Sequence, residues 1–116
     1  MPRRKNDSPF PGSNTLLVLA MLEDADKYGY QIIRELECRS DQTFSMNEGT
    51  LYPILHGLEK GTYLSGYQQQ APSGRMRKYY RLTRKGRELL AEKKAEWASF
   101  HRGVADVLSG GANALA

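Results

Sequence analysis

The chain has 116 residues, with 17 Lys+Arg against 13 Asp+Glu, a formal net charge of +4, and 40% apolar and 26% charged residues. That leaves room for one domain with a modest core, and the apolar share is too high for a disordered chain. The longest apolar run, Leu16 to Leu22, falls far short of the roughly 20 residues that cross a bilayer, and a single cysteine, Cys38, excludes an internal disulfide.

Residues 1–13 are polar, contain Pro2, Pro9 and Pro11, and place Arg3, Arg4 and Lys5 near the tip. Cations without an apolar stretch behind them do not make a secretory signal. The segment reads as a flexible basic arm on a cytoplasmic protein. Ser13 or Asn14 can cap a helix over 15–24, TLLVLAMLED, whose apolar character on nearly every side suits a position between other helices. Asp24 to Lys27 reads as a polar connection. A second helix over 28–40 puts Gly29, Ile32, Ile33 and Leu36 on one stripe, with Cys38 opposite.

A third helix, 47–60, takes Asn47 as its cap and turns Leu51, Ile54, Leu55 and Leu58 inward before Gly61 ends it. Its outward residues are Glu48, Thr50, Tyr52, Pro53, His56, Glu59 and Lys60. Thr50, Tyr52 and His56 can each make polar contacts to phosphates or base edges, the plainer alternative for Tyr52 being packing on a neighbouring helix. Pro53 withholds an amide from the carbonyl four residues back, that of Gly49, so the pair is expected to kink the helix start and set its angle.

Two extended segments, 63–70 and 76–82, flank the turn Ala71-Pro72-Ser73-Gly74 and read as a hairpin. Within and beyond it, Arg75 to Arg87 holds seven cations (Arg75, Arg77, Lys78, Arg81, Arg84, Lys85 and Arg87) and no carboxylate, so the rest of the chain is net negative. Concentrated charge points to a polyanion more strongly than diffuse charge does. Strand alternation sets Arg75, Arg77, Tyr79 and Arg81 on one face and turns Tyr80 and Leu82 toward a core.

Thr83 caps a last helix over 84–108, about 37 Å long at 1.5 Å per residue, and residues 109–116 should fray. Leu90, Trp97 and Val104 recur every seven residues, with Lys93, Phe100 and Val107 beside them, so an apolar seam asks for a second copy. Trp97 is the sole indole: it is either a dimer anchor or one wall of a cavity for a flat effector, with Phe100 and His101 close by.

Three helices and then a basic hairpin is the order of a winged helix-turn-helix. The fold expected is mainly α with a small β-hairpin: a DNA-binding domain over 14–83 and a C-terminal dimerisation helix. The motifs Y-G-Y-x-I (28–32), N-E-G-T-L-Y-P-I-L-x-G-L-E-K-G (47–61) and R-K-Y-Y-R-L-T-x-x-G (77–86) resemble the PadR family of transcriptional repressors, in its small LmrR-like subfamily. The resemblance implies a homodimer on a pseudo-palindromic double-stranded operator, released by a small molecule. It implies that Thr50, Tyr52 and Pro53 face DNA, that Arg77, Lys78 and Tyr79 form the wing side of that surface, and that Arg75 lies near its tip. It also places Trp97 where an aromatic residue pairs across the dimer. His56 stands where many members carry lysine or arginine.

No cofactor or metal is expected: His56, His101 and Cys38 lack zinc spacing, no phosphate loop is present, and no nucleophile has a base nearby in sequence. The chain is not read as an enzyme. The alternative from another class is a small basic RNA-binding protein. A redox role for Cys38 would need Arg34 or Arg39 to favour its thiolate.

Overall fold

Alternation along the second hairpin strand organises the molecule, because that strand has a partner on each edge. The computed structural model describes residues 13–110. In chain order the elements are α1 (Ser13–Met21), β1 (Lys27–Tyr28), α2 (Gly29–Arg39), α3 (Glu48–Lys60), β2 (Leu64–Gln70), β3 (Met76–Leu82) and α4 (Arg84–Leu108). The three strands form an antiparallel sheet in the order β1-β3-β2. The hairpin register pairs Leu64 with Leu82 and Gln70 with Met76. Its turn closes with Ala71 N–H on the Arg75 carbonyl (2.7 Å), and Gly74 takes φ 92°, a conformation that glycine adopts without penalty.

Val18 and Leu19 of α1, Ile32 and Leu36 of α2, Leu51 and Leu55 of α3, Tyr80 and Leu82 of β3 and Leu90 of α4 share one core. Helix α1 packs against α2, α3 and α4, which explains its lack of a polar face. It is shifted from expectation, starting with Ser13 already inside and ending at Met21. The α3 and α4 caps match the reading: Asn47 accepts the Thr50 amide (2.9 Å) and Thr83 the Gly86 amide (3.0 Å).

Strand β1 lies where the sequence suggests only a polar connection. Its pairing, Lys27 with Tyr80 and Tyr28 with Tyr79, is made across some fifty residues and leaves no local periodicity to read. The same pairing buries Lys27 to 2% exposure. The Lys27 ammonium donates to the Met21 carbonyl at the end of α1 and to Asp24 (2.7 Å), and lies 3.3 Å from Glu35. Arg39 bridges the same two carboxylates, at 3.0 Å from Asp24 and 3.2 Å from Glu35. The buried cation is thus fully partnered, as burial of a charge requires.

The start of α4 is bolted to the end of α3. The Thr83 hydroxyl donates to the Thr62 carbonyl (2.7 Å), and the Thr83 amide donates to the Tyr63 carbonyl (3.1 Å). A Cβ on Gly86 would sit 2.0 Å from the Tyr63 carbonyl oxygen, so backbone meets backbone there. The C-terminal helix therefore leaves the core in a fixed direction, further tied by Lys94 to Glu23 (2.9 Å).

Two outcomes are expected. Gly86→Ala must push the helix from its seat and should cost about 1–3 kcal/mol in urea unfolding. Asp24 has its carboxyl lowered from 3.8 to about 2, first by the Lys27 hydrogen bond and then by that of Arg39. A folded-state pKa below the unfolded one means stabilisation that is present above about pH 4 and fades as pH falls through the folded value. The urea midpoint of the wild type should therefore fall more steeply between about pH 4 and 2 than that of Asp24→Asn.

Candidate nucleic-acid interface

Helix α3 is held by three inward leucines, of which Leu51 and Leu55 are wholly buried and Leu58 nearly so. Its acidic first-turn residue, Glu48, suits the positive end of the helix dipole. Pro53 lies inside the helix, five residues past its first residue, so a late helix start does not explain it. It brings no amide to the Gly49 carbonyl. Pro53 and His56 are exposed.

Tyr52 and Thr50 are less open than expected. The Tyr52 ring is half-buried against the core and lies across Gly29 of α2, where a Cβ would come within 2.4 Å of the phenol oxygen. Gly29 in the Y-G-Y motif is therefore the seat of Tyr52, and this tyrosine braces α3 on α2. Its ring remains 6.1 Å from that of His56, at 40°. The Thr50 Oγ1 is buried, with no hydrogen-bond partner among the described residues. The expected outward hydroxyl is thus turned in.

The wing departs further from the picture of a free cationic ribbon. Tyr79 stacks on Tyr67 (5.8 Å, 17°) and meets Tyr28 edge-on (5.4 Å, 67°). The Arg77 guanidinium covers the Tyr28 ring at 4.3 Å, and that of Arg81 covers Tyr67 at 5.2 Å. Arg81 also pairs with Asp26 (3.1 Å), to which the Tyr67 hydroxyl donates (2.6 Å). That hydrogen bond to a carboxylate holds the Tyr67 phenol above its ordinary pKa. This face lies opposite the one that carries Tyr80, Leu82 and Lys78.

Lys78 reaches α3 instead, its ammonium donating to Glu59 at 2.8 Å. That bond raises the Lys78 pKa. Lys85 donates to the Gly61 carbonyl (2.9 Å) and lies over Tyr63 (4.5 Å). Arg75 at the wing tip, and Arg84 and Arg87 at the start of α4, are exposed and form no ion pair among the described residues. The chain thus turns Lys78 toward α3 and sends Arg77 and Tyr79 to the opposite face of the wing. Arg3, Arg4 and Lys5 lie outside the described residues.

On α4 the seam divides. Leu90, expected in a dimer seam, is 2% exposed and belongs to the core of its own chain, because α1 covers this end of the helix. Beyond it, Trp97, Phe100, Val104, Val107 and Leu108 are large apolar side chains on the surface. His101 stacks on Trp97 at 4.8 Å and 10°. Phe100, Val104, Val107 and Leu108 surround Gly103, where nothing fills the space of a side chain. Cys38 is exposed, while Arg39 is engaged by Asp24 and Glu35.

Sequence reasoning missed Glu59, Asp26 and Tyr67 as partners of the wing. Gly66 carried the only local signal, since a glycine inside a strand often marks a close approach.

The model of the PadR-like transcriptional regulator family matches residues 18–92. A Streptococcus mutans protein, smu.1704, is 36% identical over 90% of this chain and 96% of its own, with a TM-score of 0.76. A PadR family transcription regulator from Clostridium difficile is 33% identical, with a TM-score of 0.70, over 81% of this chain and 96% of its own. An uncharacterized protein from Lysinibacillus sphaericus is 37% identical over 82 residues, 71% of this chain and 75% of the relative. With its DNA-binding winged-helix fold and a family match over most of its length, the chain belongs to the PadR-like family of transcriptional regulators.

Proposed function

We propose that this regulator is a homodimeric repressor of the small LmrR-like type. It lays α3 in the major groove with the wing tip along the flanking backbone, and it leaves its operator when a small planar aromatic compound enters beside Trp97. One observation carries the reading: the apolar face of α4 from Trp97 to Leu108 continues well past the point where the chain covers its own helix. Five large apolar side chains on one exposed helix are what a coiled-coil partner buries. A second copy related by a two-fold axis then repeats α3 and Arg75 for a half-site about 34 Å away. In this reading Pro53, His56, Tyr52 and Thr50 lie on or behind the groove-facing side, Arg75 touches phosphate, and residues 1–13 add Arg3, Arg4 and Lys5. Trp97, Phe100, His101 and Val104 form both the dimer contact and the effector site.

The RNA-binding alternative loses support from the wing. Single-strand recognition needs rings open to bases. Tyr28, Tyr67 and Tyr79 face one another, and two of the three carry an arginine.

Sedimentation at micromolar concentration should give a dimer, and Val104→Glu should give a monomer that retains its helix content and binds duplex DNA roughly a hundredfold more weakly. A monomeric wild type contradicts the reading. Pro53→Ala should weaken binding to a duplex selected by the wild type more than it lowers the unfolding midpoint, and unchanged affinity removes Pro53 from the recognition geometry. A planar aromatic compound that releases DNA should also quench the Trp97 emission. Release with that emission untouched puts the effector site elsewhere.

A further inference from the structure

We infer that Glu59 is a positioning residue for DNA recognition: it holds the wing at a set angle to α3 through Lys78, which serves as an internal strut. The inference rests on α3 and the wing tip engaging one duplex together. Three observations meet at this point. The Lys78 ammonium lies 2.8 Å from Glu59 Oε1, joining the middle of β3 to the last turn of α3. Among the described residues no other ion pair links α3 to the sheet. The pair also lies directly over Gly66 of β2, where a Cβ would be 2.5 Å from Lys78 Cε and 2.6 Å from Glu59 Oε2.

A glycine inside a strand is less favourable than alanine because it loses more backbone freedom on folding, so its place here calls for a reason. The strut supplies one, because only a bare backbone lets both side chains cross the sheet at this height. Tyr80 then limits the motion of the ammonium, which sits 5.3 Å from the centre of that buried ring.

The bond adds little to folding, since water screens an ion pair this exposed. Its leverage is geometric. Arg75 lies three residues from Lys78, about 10 Å along the strand, so a tilt of about 10° at the strut moves the tip by roughly 2 Å. A shift of that size breaks a hydrogen bond to phosphate. Neutralising Glu59 also keeps a bare carboxylate away from the approaching backbone.

The alternative is that Lys78 binds phosphate and merely rests on Glu59 in the free protein. The two differ in sign. The probes are a duplex selected from random DNA by the wild-type protein and a scrambled duplex of equal length, each titrated across a salt series against Glu59→Gln, Lys78→Met and the double variant. A strut predicts that each single change lowers the selected-to-scrambled ratio about tenfold, that the double change adds nothing further, and that the salt slope on scrambled DNA stays at the wild-type value. Gly66→Ala, which wedges the pair apart, should lower the ratio in the same way. A phosphate contact predicts a flatter slope and weaker binding to both duplexes for Lys78→Met, with tighter binding to both for Glu59→Gln. That result, or a ratio untouched by Glu59→Gln, overturns the strut alone. A wild type that enriches no duplex overturns the shared interface and the strut with it.

Discussion

Strand β3 is the constraint on which the arrangement depends, because it is paired on both edges and its two faces do different work. Toward the core it sends Tyr80 and Leu82, each nearly inaccessible. Away from the core it sends Arg77, Tyr79 and Arg81 into an array with Tyr28 and Tyr67. A slip of one residue would exchange these sets, exposing the tyrosine and leucine and burying guanidinium groups, so the register is strongly specified. The strand then runs directly into Thr83, the cap of α4, and carries its placement into that helix. Helix α3, the wing and the C-terminal helix are thus referred to one rigid strand.

Charge follows from this placement. The segment from Arg75 to Arg87 dominates the net charge, yet several of its cations are engaged by the protein itself. Arg81 has Asp26, Lys78 has Glu59, Lys85 has a helix-end carbonyl, and Arg77 has an aromatic ring. Each of these contacts is weak when exposed. Together they hold long side chains in one conformation, which lowers the entropy lost when a polyanion binds over them. Among the described residues Arg75, Arg84 and Arg87 form no ion pair, so the long-range field of the segment is kept while its interior is ordered.

The N-terminal half of the domain solves a different problem. Lys27 is buried because β1 must pair with β3 at that register, and its ammonium needs partners at once. The α1 carbonyl terminus, Asp24 and Glu35 supply them, with Arg39 balancing the two carboxylates. This cluster ties the end of α1, β1 and α2 together.

Local pattern alone determined the four helices, the hairpin and most of the core, since a 3.6-residue stripe or a two-residue alternation is written in consecutive side chains. The caps Asn47 and Thr83 and the outward position of Pro53 and His56 were equally legible. What only the tertiary structure decided are the relations between segments distant in the chain. Strand β1 and the buried state of Lys27 depend on a pairing partner some fifty residues away. The inward turn of Thr50 and Tyr52, the membership of Leu90 in its own core, and the Glu59–Lys78 and Asp26–Arg81 pairs depend on which faces meet. A charge run announces its cations but not their counter-ions, because Coulomb attraction acts across space, and only the folded chain sets those distances.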